Sequence, residues 1–223
     1  MKITDLAEYK GETWFVELDG GSKFYINRSI VEEFSLCDGM SITPAALEQI
    51  KGADVLRKAK KRALYLLGER DMCRGELLSK LTRTYGEEIA EEAVDYTEEL
   101  GYINDEEYAV KLAEYLIKRK RWGVYRAKRD MIHRGLDAEL VENTLAEFSE
   151  EELDEELCEL IEKKYSSKIS DYDDRRRTIA ALMRRGYGYA SIKRCIERIL
   201  EENENDECDD FFEDDEDYYY EDF

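Results

Sequence analysis

The sequence is poor in several things that enzymes and secreted scaffolds need. It has one histidine, His133, so a Ser-His or Cys-His arrangement has only one imidazole to draw on. On a helical wheel His133 shares a face with Arg126, Arg129 and Asp130, which reads as a solvent-facing side chain on a basic helix. No G-x-x-x-x-G-K-[ST] loop and no G-x-G-x-x-G is present, so nothing points to a nucleotide cradle. The five cysteines (Cys37, Cys73, Cys158, Cys195 and Cys208) are scattered and form no C-x-x-C pair. That spacing argues against a disulfide framework or a zinc site and fits a reducing cytoplasm. No apolar run approaches the roughly 20 residues of a membrane span. The start, Met1-Lys2-Ile3-Thr4-Asp5, lacks the apolar stretch of a signal peptide. The one proline is Pro44, so nothing after residue 44 interrupts a helix in that way. Residues 201–223 contain no Lys or Arg at all.

What is present is charge and helical periodicity. Of the 223 residues, 40% are charged, against about 25% in an average globular chain, and 43% are hydrophobic, enough for a core. The net charge of −21 is uneven: fourteen Asp and Glu sit in 201–223, and only −7 belongs to residues 1–200. An acidic total therefore does not exclude an anionic partner for the body. Residues 1–52 read as a small β-containing subdomain. Trp14, Val16 and Leu18 alternate, Asp19-Gly20-Gly21-Ser22 turns, and Phe24 and Ile26 alternate again, which predicts a hairpin. Ile3 to Tyr9 is a weaker strand candidate and Ser29 to Phe34 one or two helical turns. Thr43-Pro44 is an N-cap followed by proline at the first helical position.

From residue 54 to 200 the period is helical. Candidate helices cover 54–67, 73–83, 87–100, 105–120, 124–134, 138–148, 150–165, 172–185 and 189–201. Asn104 to Glu107 and Ser149 to Glu152 both fit a capping box. A repeat appears at a spacing of 51 residues. Leu81, Ile132 and Met183 fall in one column, Tyr85, Leu136 and Tyr187 in a second, and Val94, Leu145 and Ile196 in a third. Ala93, Thr144 and Cys195 form a column of small side chains, so Cys195 reads as a packing residue. The predicted fold is mainly α: an elongated body of three tandem three-helix repeats behind the β-hairpin-containing subdomain. The expected repeats are 53–104, 105–148 and 149–200, and the acidic tail 201–223 is expected to be disordered because its like charges repel.

Basic residues concentrate in two stretches. Residues 117–135 carry Lys118, Arg119, Lys120, Arg121, Arg126, Lys128, Arg129 and Arg134 against Asp130 alone. Residues 175–198 carry Arg175, Arg176, Arg177, Arg184, Arg185, Lys193, Arg194 and Arg198 against Glu197 alone. A third cluster, Arg57 to Arg62, opens the first repeat. In the repeat register Arg126 maps onto Arg177 and His133 onto Arg184, seven apart and so on one helix face, while the first repeat has Gly75 and Thr82 there. Arg83, Arg134 and Arg185 form a further column at the end of each second helix, where attraction to the helix C-terminus is the plainest explanation. Trp122, Tyr125, Tyr187 and Tyr189 interleave with these cations, a combination that can stack on the bases of a single strand.

These features together resemble the bacterial RecX regulatory proteins over residues 54–200. The resemblance is carried by the tandem units, the turn Gly101-Tyr102-Ile103-Asn104-Asp105-Glu106-Glu107-Tyr108-Ala109, and the ends Arg134-Gly135-Leu136 and Arg184-Arg185-Gly186-Tyr187. The small N-terminal region also resembles an extension seen in some members; the acidic aromatic tail is not part of the pattern. The resemblance implies a non-enzymatic protein that binds the RecA filament along its helical groove, reduces RecA assembly, ATP hydrolysis and strand exchange, and binds DNA itself. It implies as partners the RecA filament and single-stranded or double-stranded DNA; from the residues themselves no cofactor, metal or membrane is expected. The chain is read as a cytoplasmic monomer. The interface candidates are Lys118, Arg119, Arg121, Arg126, Arg129, Arg134, Arg176, Arg177, Arg184, Arg185 and Arg83. Two other readings stay open: an autonomous DNA-binding helical-repeat protein, and a scaffold for another protein whose basic stripes are merely solvated.

Overall fold

The computed structural model describes the backbone of residues 1–213 and side chains through Glu202. Its chain divides into two compact units, residues 1–104 and 105 onward. The first unit opens with β1 (Ile3–Lys10), β2 (Thr13–Leu18) and β3 (Lys23–Asn27), a three-stranded antiparallel sheet in sequence order. Alternation decides which face is inward: Val16 and Ile26 point to a core with Ile3, Ile30 and Ile50, and Trp14 and Phe24 pack partly buried against it. The helix α1 (Arg28–Glu33) follows directly, with the Asn27 side chain accepting from the Ser29 amide.

At Thr43 the expected cap forms: its hydroxyl accepts from the Ala46 amide at 3.1 Å, and Pro44 takes the first helical position. The helix it starts, α2 (Pro44–Glu69), is 26 residues long and runs straight through the boundary expected after residue 52. The reason is chemical. Asp54, 3% exposed, accepts from the Asn27 amide at 3.2 Å and pairs with Lys58 at 2.6 Å and Arg57 at 3.5 Å. One buried carboxylate thus fastens the end of β3 to the middle of α2, and the small subdomain and the first helical repeat share a helix. The rest of that repeat is α3 (Arg74–Tyr85) and α4 (Glu87–Glu99). Ala59, Ala63, Ala90 and Ala93 are all fully buried, so α2 and α4 approach through small side chains.

In the second unit α5 (Asp105–Glu114) passes into a π turn, Tyr115–Arg119, and is followed by α6 (Val124–His133) and α7 (Ala138–Ala146). The next three helices are α8 (Glu150–Ile169), α9 (Tyr172–Arg184) and α10 (Tyr189–Glu213). Ser149 and Glu152 form the predicted capping box at the start of α8. Chain paths at the ends of α6 and α9 are identical. Gly135 and Gly186 have φ of 100° and 90°. Leu136 N–H donates to Met131 C=O and Tyr187 N–H to Leu182 C=O, while each glycine N–H reaches back to Ile132 or Met183. These are Schellman ends, which require the left-handed residue that glycine supplies, and they account for the repeated Arg-Gly pairs.

Three expectations are corrected. The second-helix column is displaced by one: Leu81 is 1% exposed, but Ile132 and Met183 are 39% and 51% exposed. Met131 and Leu182, fully buried, hold the core position instead, so the interval is 51 between the second and third repeats and 50 between the first and second. The columns Val94/Leu145/Ile196 and Ala93/Thr144/Cys195 are buried throughout, as expected. Cysteine spacing misled the reading of Cys195, which is a packing residue but also forms a disulfide with Cys158, with Cα atoms 5.3 Å apart. Helical folding brings these two together from 37 residues apart, a contact no local spacing encodes. Finally, α10 continues to Glu213 rather than ending at 201, in keeping with the helix propensity of its Glu-rich extension. The remaining expectation of disorder, for 214–223, falls outside the described residues.

Candidate nucleic-acid interface

A cation is available to a phosphate only if its own fold has not already claimed it. Sorted this way, most of the basic stretch 117–135 is committed. Arg121, with φ of 53°, lies two residues past the π turn and points its guanidinium at α8, where it pairs with Glu156 and, at 3.1 Å, with Glu159. Arg126 lies over the Trp122 ring, 4.0 Å from its centroid. Lys128 pairs with Glu142 at 2.5 Å, and Arg134 with Asp130 at 2.8 Å. Burial opposes the Arg134 charge, but hydrogen bonds to Asp130 and Tyr108 outweigh it and hold the guanidinium above its ordinary value. Lys118 stands 4.0 Å from Glu114. Arg119 and Arg129 are exposed and have no ion-pair or hydrogen-bond partner among the described residues.

The stretch 175–198 divides in the same manner. Arg175 donates to the carbonyls of Ile169 and Ser170 at 2.5 and 3.1 Å, closing the C-terminus of α8. Arg177 pairs with Asp174 at 2.9 Å although 79% of its side chain is exposed. Arg194 bridges α10 to Asp154 of α8 at 2.8 Å, and that hydrogen bond raises its guanidinium further. Arg185 reaches the Arg121 carbonyl at 3.5 Å. Arg176 and Arg184 are exposed without a partner among the described residues. In the first unit, Arg83 is likewise unpartnered and lines a cavity of about 290 Å³ with Arg62 and Lys80.

The face expected from Arg126, His133, Arg177 and Arg184 is therefore unequal. His133 and Arg184 are exposed, whereas Arg126 stands at a seam between the second and third repeats. There the two chains of backbone meet directly. Gly123 N–H donates to the Arg185 carbonyl at 2.9 Å, and Tyr125 N–H to the Gly186 carbonyl at 3.2 Å. A Cβ on Gly123 would lie 2.2 Å from the Gly186 carbonyl, and one on Gly186 2.4 Å from the Arg126 backbone nitrogen. Only glycine fits at either position. The seam gave no signal in the charge pattern; the Gly123 that precedes α6 was its one trace. Arg121, Arg126, Arg134 and Arg185 are held by contacts within the fold, whereas Arg119, Arg129, Arg176 and Arg184 are without a partner among the described residues, as are Lys164 and Lys168 on α8.

The aromatics sort as well. Tyr125 and Tyr189 are 72% and 57% exposed and open to stacking. One face of Trp122 is occupied by Arg126. Tyr187 packs against the core of α8 to α10. Burial pushes its hydroxyl up to about 12, against the opposing pull of Arg121 and Arg185. Among the described residues no His, Cys, Asp and Glu cluster could hold a metal ion, and no helix is long and apolar enough to cross a membrane.

Comparison with known proteins agrees with this architecture. The family model of the second three-helix domain of RecX matches residues 104–145, and that of the third three-helix domain matches residues 150–196. Regulatory protein RecX of Streptococcus gordonii is 27% identical over 210 residues, 93% of this chain and 81% of its own. Its counterpart in Clostridioides difficile is 24% identical and covers 92% of this chain and 98% of its own. A crystal structure of regulatory protein RecX shares the fold with a TM-score of 0.66 at 20% identity, over 86% of this chain and 97% of that one. RecX from Lactobacillus salivarius matches at a TM-score of 0.60 and 23% identity, over 66% and 97%. Adjoining domain models and relatives aligned along nine-tenths of the chain thus lead to one conclusion: this chain belongs to the RecX family of regulatory proteins.

Proposed function

We propose that the chain acts without catalysis as a regulator of RecA: it binds the filament that RecA forms on single-stranded DNA and restrains assembly, ATP hydrolysis and strand exchange. The observation that carries this reading is the set of unpartnered cations on the second unit. Arg119, Arg129, Arg176 and Arg184 have no partner among the described residues, in a chain of net charge −21 where acidic groups are plentiful. Cations left unpaired amid such an excess of carboxylates suit an anionic partner. Exposed Tyr125 and Tyr189 in the same unit add stacking surfaces. The RecX resemblance supplies the partner's identity.

The test is RecA-dependent ATP hydrolysis on single-stranded DNA at fixed salt, with this protein titrated in. Hydrolysis falls as the protein approaches stoichiometry with DNA-bound RecA. The Arg176→Glu, Arg184→Glu double variant, checked by circular dichroism, inhibits about tenfold less well, a loss of ~1.4 kcal/mol in binding. No inhibition by the intact protein at several-fold excess sinks the reading.

A further inference from the structure

The third repeat contains a groove that the reading above uses only at Arg176 and Tyr189. It lies between α9 and α10, has a volume of about 390 Å³, and is floored by Ile179, Ile196 and Leu200. Tyr172 and Tyr189 stand at its edges, 74% and 57% exposed. Its charged rim is basic: Arg175, Arg176 and Lys193 face one acid, Glu197. Arg175 is held by two backbone carbonyls and Lys193 stands 3.4 Å from Glu197, so Arg176 is the cation left open. An apolar floor under a cationic rim fits a short acidic segment that carries aromatic side chains.

We propose that the occupant is the chain's own end, residues 214–223, which dock in this groove and shield it. The segment reads Asp-Asp-Glu-Asp-Tyr-Tyr-Tyr-Glu-Asp-Phe: six carboxylates and four rings in ten residues. Its charge complements the rim and its rings complement the floor. The reach is also right. Glu213 ends α10 thirteen residues beyond Leu200, roughly 20 Å along the helix at 1.5 Å per residue. An extended chain spans at most about 3.3 Å per residue, so five to seven residues beyond Glu213 can span roughly 17–23 Å and ten residues about 33 Å. The tyrosines reach Leu200, and Phe223 reaches the floor at Ile196, roughly 25 Å back along α10. Tethering supplies an effective concentration in the millimolar range, so even a weak contact is populated. A single strand of DNA has the same combination of negative charge and rings but lacks the tether. Docking covers Arg176, so the tail competes with the anionic partner at this repeat; that consequence rests on the filament reading, whereas the docking itself does not.

The experiment uses full-length protein. Carbon-13 methyl spectra are compared between the native chain and a chain with Tyr218→Ser, Tyr219→Ser, Tyr220→Ser and Phe223→Ser, which keeps every acid. Ring currents at the floor are lost, so the Ile179, Ile196 and Leu200 methyl signals shift, while those of Leu81 and Val94 in the first unit stay fixed. A synthetic peptide of residues 214–223, added at millimolar concentration, moves the shifted signals back. The Arg176→Glu, Lys193→Glu variant shows the undocked positions with the native tail in place, and raising salt weakens docking. Unchanged floor signals in the serine variant overturn the proposal, as does failure of the peptide to restore them. A difference that vanishes on dilution assigns the contact to a second copy and overturns the intramolecular form. Because no readout involves RecA, a failed ATPase assay and a failed docking assay are separate results.

Discussion

At the scale of single residues, Gly123 and Gly186 do what no other residue type does. Gly186 is both the left-handed end of α9, with φ of 90°, and a point where the backbones of the second and third repeats touch. Gly186→Ala incurs the left-handed penalty of about 1–2 kcal/mol and pushes a methyl into the Arg126 backbone. We expect a loss of at least ~2 kcal/mol, read from the midpoint of urea unfolding. Gly101→Ala is the control: φ is 75° but nothing lies within 4 Å, so only the conformational penalty of ~1 kcal/mol applies. Tyr187 makes a pH prediction. Its hydroxyl is buried without a partner and its proton is held to about 12, above the ordinary 10 of the unfolded chain. The folded state keeps this proton longer than the unfolded state, so the stability it confers is whole below pH 10 and declines as pH rises from 10 toward 12. Tyr187→Phe removes that decline and, by deleting an unpaired buried hydroxyl, leaves stability at pH 7 unchanged or raised by up to ~1 kcal/mol. Unfolding midpoints between pH 8 and 11 distinguish the two proteins.

At the scale of elements, α8 and α10 are joined three ways: by a shared apolar core, by Arg194 bridging to Asp154, and by the Cys158–Cys195 disulfide. The bridge closes a loop 37 residues long, for which the chain-entropy model gives roughly 3–4 kcal/mol. The expected outcome is that oxidised protein, or protein without reductant, unfolds at a correspondingly higher urea concentration than fully reduced protein. Cys158→Ala makes the two conditions equal. Mass spectrometry of the alkylated protein confirms which state was measured. The same pair shows the reach of local signals. Cys195 was legible as a small buried residue from its column with Ala93 and Thr144, but its partner was not, because α8 and α10 lie far apart in sequence and meet only in the packed core of the third repeat. The π turn at Tyr115–Arg119 had a similar fate: the helix 105–120 was legible, but its wider end, which aims Arg121 at Glu156, was not.

At the scale of the whole molecule, net charge of −21 coexists with a few cations that pair with no acid among the described residues. Binding to single-stranded DNA is therefore expected to be salt-dependent, each neutralised phosphate adding about 0.7 to the log–log slope. Arg176→Glu with Arg184→Glu lowers the slope by more than one unit. Arg121→Ala leaves the slope unchanged but destabilises the second unit, because Glu156 and Glu159 lose their shared partner. Fluorescence anisotropy across a salt series, alongside urea unfolding, separates the two classes. An equal slope for the double variant and the parent returns these arginines to the status of solvated surface.

The sequence alone determined the elements and their order: the hairpin from alternation around Gly20-Gly21, the Thr43-Pro44 start of α2, the Ser149 cap, and the paired Arg-Gly ends. All of these are set by residues a few positions apart, where hydrogen bonding and steric limits act locally. It also placed the buried columns of the third helix of each repeat, though the second-helix column slipped by one position. Only the tertiary structure decided which cations were free. Arg121 is indistinguishable from Arg119 and Arg129 in composition and spacing, and differs in that two carboxylates of α8, Glu156 and Glu159, lie within its reach; Arg126 and Arg134, by contrast, meet Trp122 and Asp130 only four residues back. Pairing at 3–4 Å is a property of packed neighbours, and neighbours are what a linear pattern does not contain.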